Sequence, residues 1–184
     1  DSVRAFHRTT GAPLGARGVN GASFLNDLAV GADGTLYVTD TGMDAAFSPT
    51  GTDALYRFTP TGAERVATAP DVAAPNGIVV DDEGVVVVGF GGSVVQRIPL
   101  DGGTPTAIAT VPAGQLDGVV RMSDGTLLVS SWEGQAVYRI GPDGQVTTAV
   151  ENVEAPADIG WDSQRNRVLI PLFNGNRIEI REIR

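Results

Sequence analysis

Apolar residues run along this chain in short bursts, and Gly, Asp, Asn and Pro stand between them. No segment keeps the 3.6-residue apolar period of an amphipathic helix, so the pattern predicts strands and essentially no helix. The bursts also repeat. FLNDLAVGADGTLYVTD from Phe24, APNGIVVDDEGVVVVGF from Ala74, QLDGVVRMSDGTLLVSS from Gln115 and APADIGWDSQRNRVLIP from Ala155 align without gaps. Their third residues are Asn26, Asn76, Asp117 and Ala157, at intervals of 50, 41 and 40 residues. A turn position follows eight residues after each, at Gly34, Gly84, Gly125 and Arg165. A second motif comes next: ALYRFTPTG from Ala54, VVQRIPLDG from Val94, AVYRIGPDG from Ala136 and NRIEIREI from Asn176. In the first three units a fourth short run closes the repeat.

Four short strands in about 40 residues are the signature of a propeller blade. The predicted fold is therefore all-β, a β-propeller of four-stranded antiparallel blades. The longer first interval is absorbed by an insertion from Thr41 to Asp53, between the second and third strands of its blade. One domain spans 1–184, with a blade remnant over 1–22 and blades over 23–70, 71–112, 113–152 and 153–184. SVRAFHRTTG has the form of a third strand and its turn, so the chain opens in mid-blade. The expectation is about four and a half blades of a longer propeller, truncated at its N-terminus; a four-bladed ring closed by an N-terminal strand is the alternative. An open ring would need its missing N-terminal blades or would self-associate, because it exposes strand edges.

Composition narrows the chemistry. Thirteen cations, all arginine, stand against 22 acids, a formal charge of −9. The absence of lysine removes Schiff-base and P-loop lysine chemistry. The absence of cysteine removes thiol nucleophiles, disulfides and zinc–thiolate sites, and a single histidine leaves no His-rich metal site. The acidic balance argues against nucleic acid and anionic membranes as partners, and no apolar run approaches a membrane span. A neutral small molecule and a cation remain compatible.

Residues at the start of a blade's first strand converge at one end of the propeller channel. Asn26, Asn76 and Asp117 hold that register in three blades, with Asp27 and Asp158 adding carboxylates one position on. Amide and carboxylate oxygens suit a hard divalent cation, Ca²⁺ first. Asn76–Gly77 and Asp117–Gly118 are also ordinary turn dipeptides, but the turns of this repeat fall eight residues later.

The N-D pair at Asn26–Asp27, P-N-G at Pro75–Gly77 and L-D-G at Leu116–Gly118 resemble the metal-site motifs of a six-bladed propeller family. It is the senescence-marker-protein/gluconolactonase/luciferin-regenerating-enzyme family, which includes regucalcin and bacterial lactonases. GQLDGVVRMSDGTLLVSSWEG and PADIGWDSQRNRVLIPLF look like its bacterial branch. The resemblance implies one divalent cation, Ca²⁺ first with Zn²⁺, Mn²⁺ or Mg²⁺ as alternatives. It makes Asn76 and Asp117 ligands and Asn26 a contact to substrate or metal. Asp117 matches the carboxylate that serves as general base. The family's first-blade Glu ligand has no counterpart here. Sugar-lactonase members carry Arg where this chain has Phe24, which shifts the expected substrate toward a less polar one. The implied activity is hydrolysis of a lactone or related ester by a metal-dependent, lactonase-like enzyme. A non-enzymatic propeller that binds a small ligand or protein is the alternative, and an incomplete structural fragment a third. The resemblance and the lack of cysteine suggest a periplasmic or secreted protein, with the cytoplasm left open.

Other residues have two readings each. Trp132, Phe90 and Phe173 either wall a pocket or pack blade against blade. Met43 and Phe47 either cover the mouth or sit in a solvated loop. Asp40 is a weaker polar site candidate. His7 is expected away from the channel, and Arg57, Arg97 and Arg139, which recur in register, are expected to be scaffold.

Overall fold

The computed structural model describes residues 1–100 and 103–183; the turn expected at Asp101–Gly102 lies outside the described residues. Among the described residues, seventeen strands form five antiparallel sheets, each a simple meander. The first sheet pairs β1 (Ser2–Phe6) with β2 (Pro13–Gly18). The second holds β3 (Leu25–Val30), β4 (Leu36–Asp40), β5 (Ala54–Thr59) and β6 (Gly62–Thr68). The third holds β7 (Pro75–Val80), β8 (Val85–Gly89), β9 (Val94–Ile98) and β10 (Thr106–Thr110). The fourth holds β11 (Leu116–Arg121), β12 (Leu127–Ser131), β13 (Ala136–Ile140) and β14 (Val146–Val150). The fifth holds β15 (Gly160–Asp162), β16 (Arg167–Leu172) and β17 (Arg177–Glu182). There is no helix among the described residues.

Aspartate side chains and glycine set the turns between strands. Asp33, Asp124 and Asp143 each accept a hydrogen bond from the backbone N–H two residues on, at 2.9, 3.0 and 3.0 Å. Gly34, Gly125 and Gly144 follow with φ of 83, 90 and 78°, the left-handed region a side chain disfavours.

The sheets stack face to face in sequence, and their innermost strands touch in order: β3 on β7, β7 on β11, β11 on β15. Strand periodicity explains the four-valine run of β8. Val85 and Val87 point into the layer shared with Tyr37 and Leu55 of the preceding blade and with Val72 of the linking segment. Val86 and Val88 point the other way, into the layer with Leu116, Val129 and Tyr138 of the next. Both faces are buried, so the strand reads as continuous apolar sequence rather than as alternation. Leu128 and Val137 repeat the logic toward Val168 and Ile170 of the fifth sheet. Each such side chain stabilises the stack by about 1.5–3 kcal/mol relative to exposure.

The recurring arginines are scaffold where their partners are visible. Arg57 pairs with Glu64 at 3.1 Å, and Arg97 bridges Asp81 and Glu83 across the third sheet's turn. The pairs to Glu64 and Glu83 are more than half-exposed at the glutamate and contribute little each, whereas the Asp81 carboxylate is buried under Arg97.

Two glycines set the distance between blades. A Cβ on Gly77 would land on the carbonyl oxygen of Asp117, and one on Gly118 would land on the backbone N of Ile159. Both obstacles are main chain of the following blade and cannot swing away. Gly77→Ala and Gly118→Ala should each destabilise the fold by roughly 1–3 kcal/mol, while Gly92→Ala, where a Cβ meets nothing within 4 Å, should be near neutral. Urea midpoints of the three variants check this; equal midpoints would contradict it.

Candidate functional site

Each of the three innermost strands β3, β7 and β11 carries a bulge at the same register position. Asn26 and Asp27 together face Thr39, because Leu25 pairs with Asp40 and Leu28 with Val38. Asn76 and Gly77 together face Val88, and Asp117 and Gly118 face Ser130. In the fifth sheet Pro156 bridges Leu172 and Gly160 pairs with Leu169, leaving Ala157, Asp158 and Ile159 opposite two residues. A bulge re-aims a side chain out of the regular pleat. The N-G and D-G dipeptides are therefore bulges at the entrance of a strand, not hairpin turns.

Hydroxyl groups lock these bulges to the next blade. Thr39 Oγ1 donates to the Asn76 carbonyl at 2.6 Å and Thr41 Oγ1 to the Pro75 carbonyl at 2.8 Å. Ser130 Oγ accepts from Gly118 N–H at 2.8 Å and donates to the Ala157 carbonyl at 2.9 Å. Asp27 Oδ2 accepts from Ile78 N–H at 2.9 Å, again across the blade boundary.

The bulges open onto a cavity of about 440 Å³. Asn26, Asn76, Asp117 and Asp158 form its polar part; Phe24, Phe90, Trp132 and Phe173 form much of its wall. All of the sequence-derived candidates Asn26, Asn76, Asp117, Phe24 and Trp132 thus line one space, together with Met43 and Phe47 of the insertion. His7 does not line it; its ring Nδ1 meets Thr10 in an exposed turn. Nor does Asp40 line it. That buried carboxylate accepts from the backbone N–H of Ser23, Phe24 and Gly42, so it fixes the entry of β3 instead.

Asn76 and Asp117 are buried, while Asn26 and Asp158 stand exposed at the opening. Asn76 is 5% exposed and its Oδ1 is buried without a hydrogen-bond partner. An orphaned buried carbonyl oxygen costs stability, about 1–3 kcal/mol, unless something else satisfies it. Asp117 is 8% exposed, and its Oδ2 accepts from Trp132 Nε1 at 2.8 Å. Burial pushes the Asp117 carboxyl up to about 7; the Trp132 bond opposes this, and the charges of Asp158 and Asp27 add to it. Burial raises Asp158 to about 6, helped by Asp27. Asp27 itself is raised by burial against hydrogen bonds from Ile78 and Leu28 N–H. Asn26 turns its Nδ2 to Thr41 Oγ1 at 2.8 Å.

Oxygens of two amides and a carboxylate are a donor set that a hard divalent cation fits, and the orphaned Asn76 Oδ1 is the specific point of fit. Among the described residues no three His or acidic side chains make a metal-binding cluster by themselves. A cation here would depend on the amide oxygens.

The aromatic wall carries a regularity that the sequence alignment obscured. Phe90, Trp132 and Phe173 each donate a backbone N–H to a carbonyl two residues before the bulge: Ala74 at 2.9 Å, Gln115 at 3.0 Å and Ala155 at 3.0 Å. Thr41 makes the same bond to Phe24 at 2.9 Å. Three aromatic side chains thus hold one structural position in successive blades. They lie 14, 15 and 16 residues beyond Asn76, Asp117 and Ala157, and this drift hid the equivalence. Ala74, Gln115 and Ala155 adopt φ of 44, 51 and 42°, a strained conformation for residues with a side chain, at the rim of the cavity.

Known proteins agree with this architecture. No curated protein matches the sequence. Among solved structures, a gluconolactonase from Xanthomonas campestris superposes with a TM-score of 0.76 at 22% identity, over 98% of this chain and 65% of that one. A virginiamycin B lyase from Staphylococcus aureus gives 0.70 at 16% identity, over 92% of this chain and 55% of that one. A chain of a nidogen/laminin complex gives 0.73 at 14% identity, over 98% and 72%. At these identities the likeness is one of β-propeller fold. The chain spans less than two thirds of the length of the lyase and the gluconolactonase. The model of the SMP-30/gluconolactonase/LRE-like region matches residues 16–162, which take in all three bulge motifs and the aromatic position of two blades, and the chain belongs to that family.

Proposed function

We propose that this chain carries the reaction site of a divalent-metal-dependent hydrolase acting on a lactone or related ester at the mouth of the propeller channel. Family membership supports a lactonase-like propeller. The observation that carries the finer reading is the buried, unpartnered Oδ1 of Asn76 beside the raised carboxyl of Asp117. Asn76, Asp117 and Asn26 would hold the cation, Ca²⁺ before Zn²⁺, Mn²⁺ or Mg²⁺. A divalent cation supplies charge that polarises an ester carbonyl and acidifies water.

The residues of the chain have separable roles. Trp132 Nε1 holds Asp117 through Oδ2, which leaves Oδ1 for the cation and for a proton. Asp117 accepts a proton from the attacking water as its oxygen adds to the carbonyl carbon. The same proton passes to the ring oxygen as the C–O bond breaks, and the product is a hydroxy acid.

One observation favours a second reading, in which a small ligand binds without turnover: among the described residues no arginine, lysine or histidine lines the cavity to stabilise an oxyanion. A lactone screen of the full-length protein supplied with Ca²⁺, Mn²⁺ or Zn²⁺ separates the two. The hydrolase reading expects turnover that falls about 10²-fold or more in Asp117→Asn. Binding of a lactone with no turnover in either protein would replace it with the second.

The electrostatics make an independent prediction for the metal-free protein. An aspartate titrates near 3.9 in an unfolded chain, and Asp117 near 7 in the fold. Between those values the folded state binds the extra proton, so stability falls as pH rises through that window and levels off above it. Thermal melts should show this decline in the wild type and a shallower one in Asp117→Asn. Parallel curves for the two would contradict the assignment.

A further inference from the structure

The wall of the cavity is more specific than its floor. Phe90 meets Trp132 edge to face, with ring centroids 5.2 Å apart, and Trp132 meets Phe173 at 5.0 Å. These three rings come from the same structural position in three successive blades, so they form a continuous arc around the opening. The first blade has Thr41 at that position, and there the aromatic surface is supplied differently. Phe24, two residues before the bulge, meets Phe47 of the insertion at 6.1 Å. Phe47 stands in the left-handed region with φ of 60°. It is 62% exposed, and Phe173 is 58% exposed. Large rings left open to water while lining one cavity mark a binding surface.

The polar capacity of the site is small by comparison. Thr41 Oγ1 is already engaged by Asn26 Nδ2 and by the Pro75 carbonyl. Asn76 Oδ1, the buried oxygen without a partner, sits at the floor with the carboxylate of Asp117, which Trp132 engages through Oδ2, and that of Asp158 stands at the opening. Among the described residues no cationic side chain lines the cavity, so in the metal-free protein nothing there attracts an anionic substituent, and the carboxylates repel one. A substrate rich in hydroxyl groups would turn them against phenyl rings and leave them unpaired.

We propose that the site selects a neutral substrate bearing an alkyl chain or an aryl ring, with the aromatic arc and the Phe24–Phe47 pair gripping that substituent while the reacting ester faces Asn76 and Asp117. A cavity of about 440 Å³ holds a small ring with a medium-length substituent. The substrate class rests on the hydrolase reading above; the grip on an apolar substituent does not. Phe47 and Phe173 are then specificity-determining residues that take no part in bond breaking.

Calorimetric titration of the full-length, metal-free protein with δ-lactams, which resist hydrolysis, tests the grip without turnover. The probes are butyl-, hexyl- and octyl-substituted δ-lactams, a phenethyl δ-lactam and a polyhydroxylated δ-lactam. Affinity should rise about fourfold per methylene until the cavity fills, with a negative heat-capacity change. The polyhydroxylated lactam should bind at least tenfold more weakly than the octyl one. Phe47→Ala and Phe173→Ala, both at exposed rings, should weaken octyl-lactam binding about tenfold while leaving the urea midpoint unchanged. Equal or tighter binding of the polyhydroxylated lactam, no dependence on chain length, or wild-type affinity in both variants would overturn the proposal. Failure of all five probes to bind would overturn it too. Selective lactam binding in a protein that hydrolyses no lactone would end the hydrolase reading and leave this one standing.

Discussion

The close approach of one blade's innermost strand to the next is the constraint on which the rest of this structure depends. At Gly77 and Gly118 the main chain of the following blade lies where a side chain would otherwise be. Thr39, Thr41 and Ser130 then hydrogen-bond the carbonyls of Asn76, Pro75 and Ala157 across that gap. The contact could not form if the strand kept a regular pleat, because the pleat would send these residues into the neighbouring layer. The bulge resolves the conflict. It takes Asn76 and Asp117 out of the stacking pattern and turns them toward the cavity, so that the inter-blade packing and the candidate site arise from one local irregularity.

The site is correspondingly costly for the fold. Burial raises the pKa values of Asp27, Asp117 and Asp158; the charge of Asp27 adds to this at Asp158, and those of Asp158 and Asp27 add to it at Asp117. A buried amide oxygen has no partner beside them. A structure that tolerates such groups offsets them elsewhere, here through apolar layers such as those around Val85–Val88. Perturbed groups of this kind gather where charge or chemistry is handled. The strained Ala74, Gln115 and Ala155 at the same rim fit that picture, because each presents the carbonyl that positions an aromatic residue.

Much of this was legible in the sequence because a repeat multiplies weak signals. A single Asn–Gly is a turn dipeptide; Asn26, Asn76 and Asp117 in one register eight residues ahead of the true turns are something else. The all-β architecture followed from the period of the apolar bursts. The parts that were hidden depend on three-dimensional equivalence. Phe90, Trp132 and Phe173 share a position only when the strand pairing is known, since the intervening turns differ in length. Asp40 looked like a candidate because it ends a strand beside the channel, but two of its backbone partners, Ser23 and Phe24, come from a segment that sequence adjacency does not reveal. Phe47 was ambiguous for a related reason: a residue in a long insertion has no register, so nothing in the pattern brought its ring to Phe24.

The central claim is that the bulge oxygens hold a divalent cation, and elemental analysis of the full-length protein tests it most directly. After equilibration with Ca²⁺ and removal of the excess, the account predicts about one equivalent per chain, lost in Asn76→Ala and in Asp117→Ala while both variants remain folded. A metal-free wild type, or an Asn76→Ala variant that keeps its full equivalent, would contradict it.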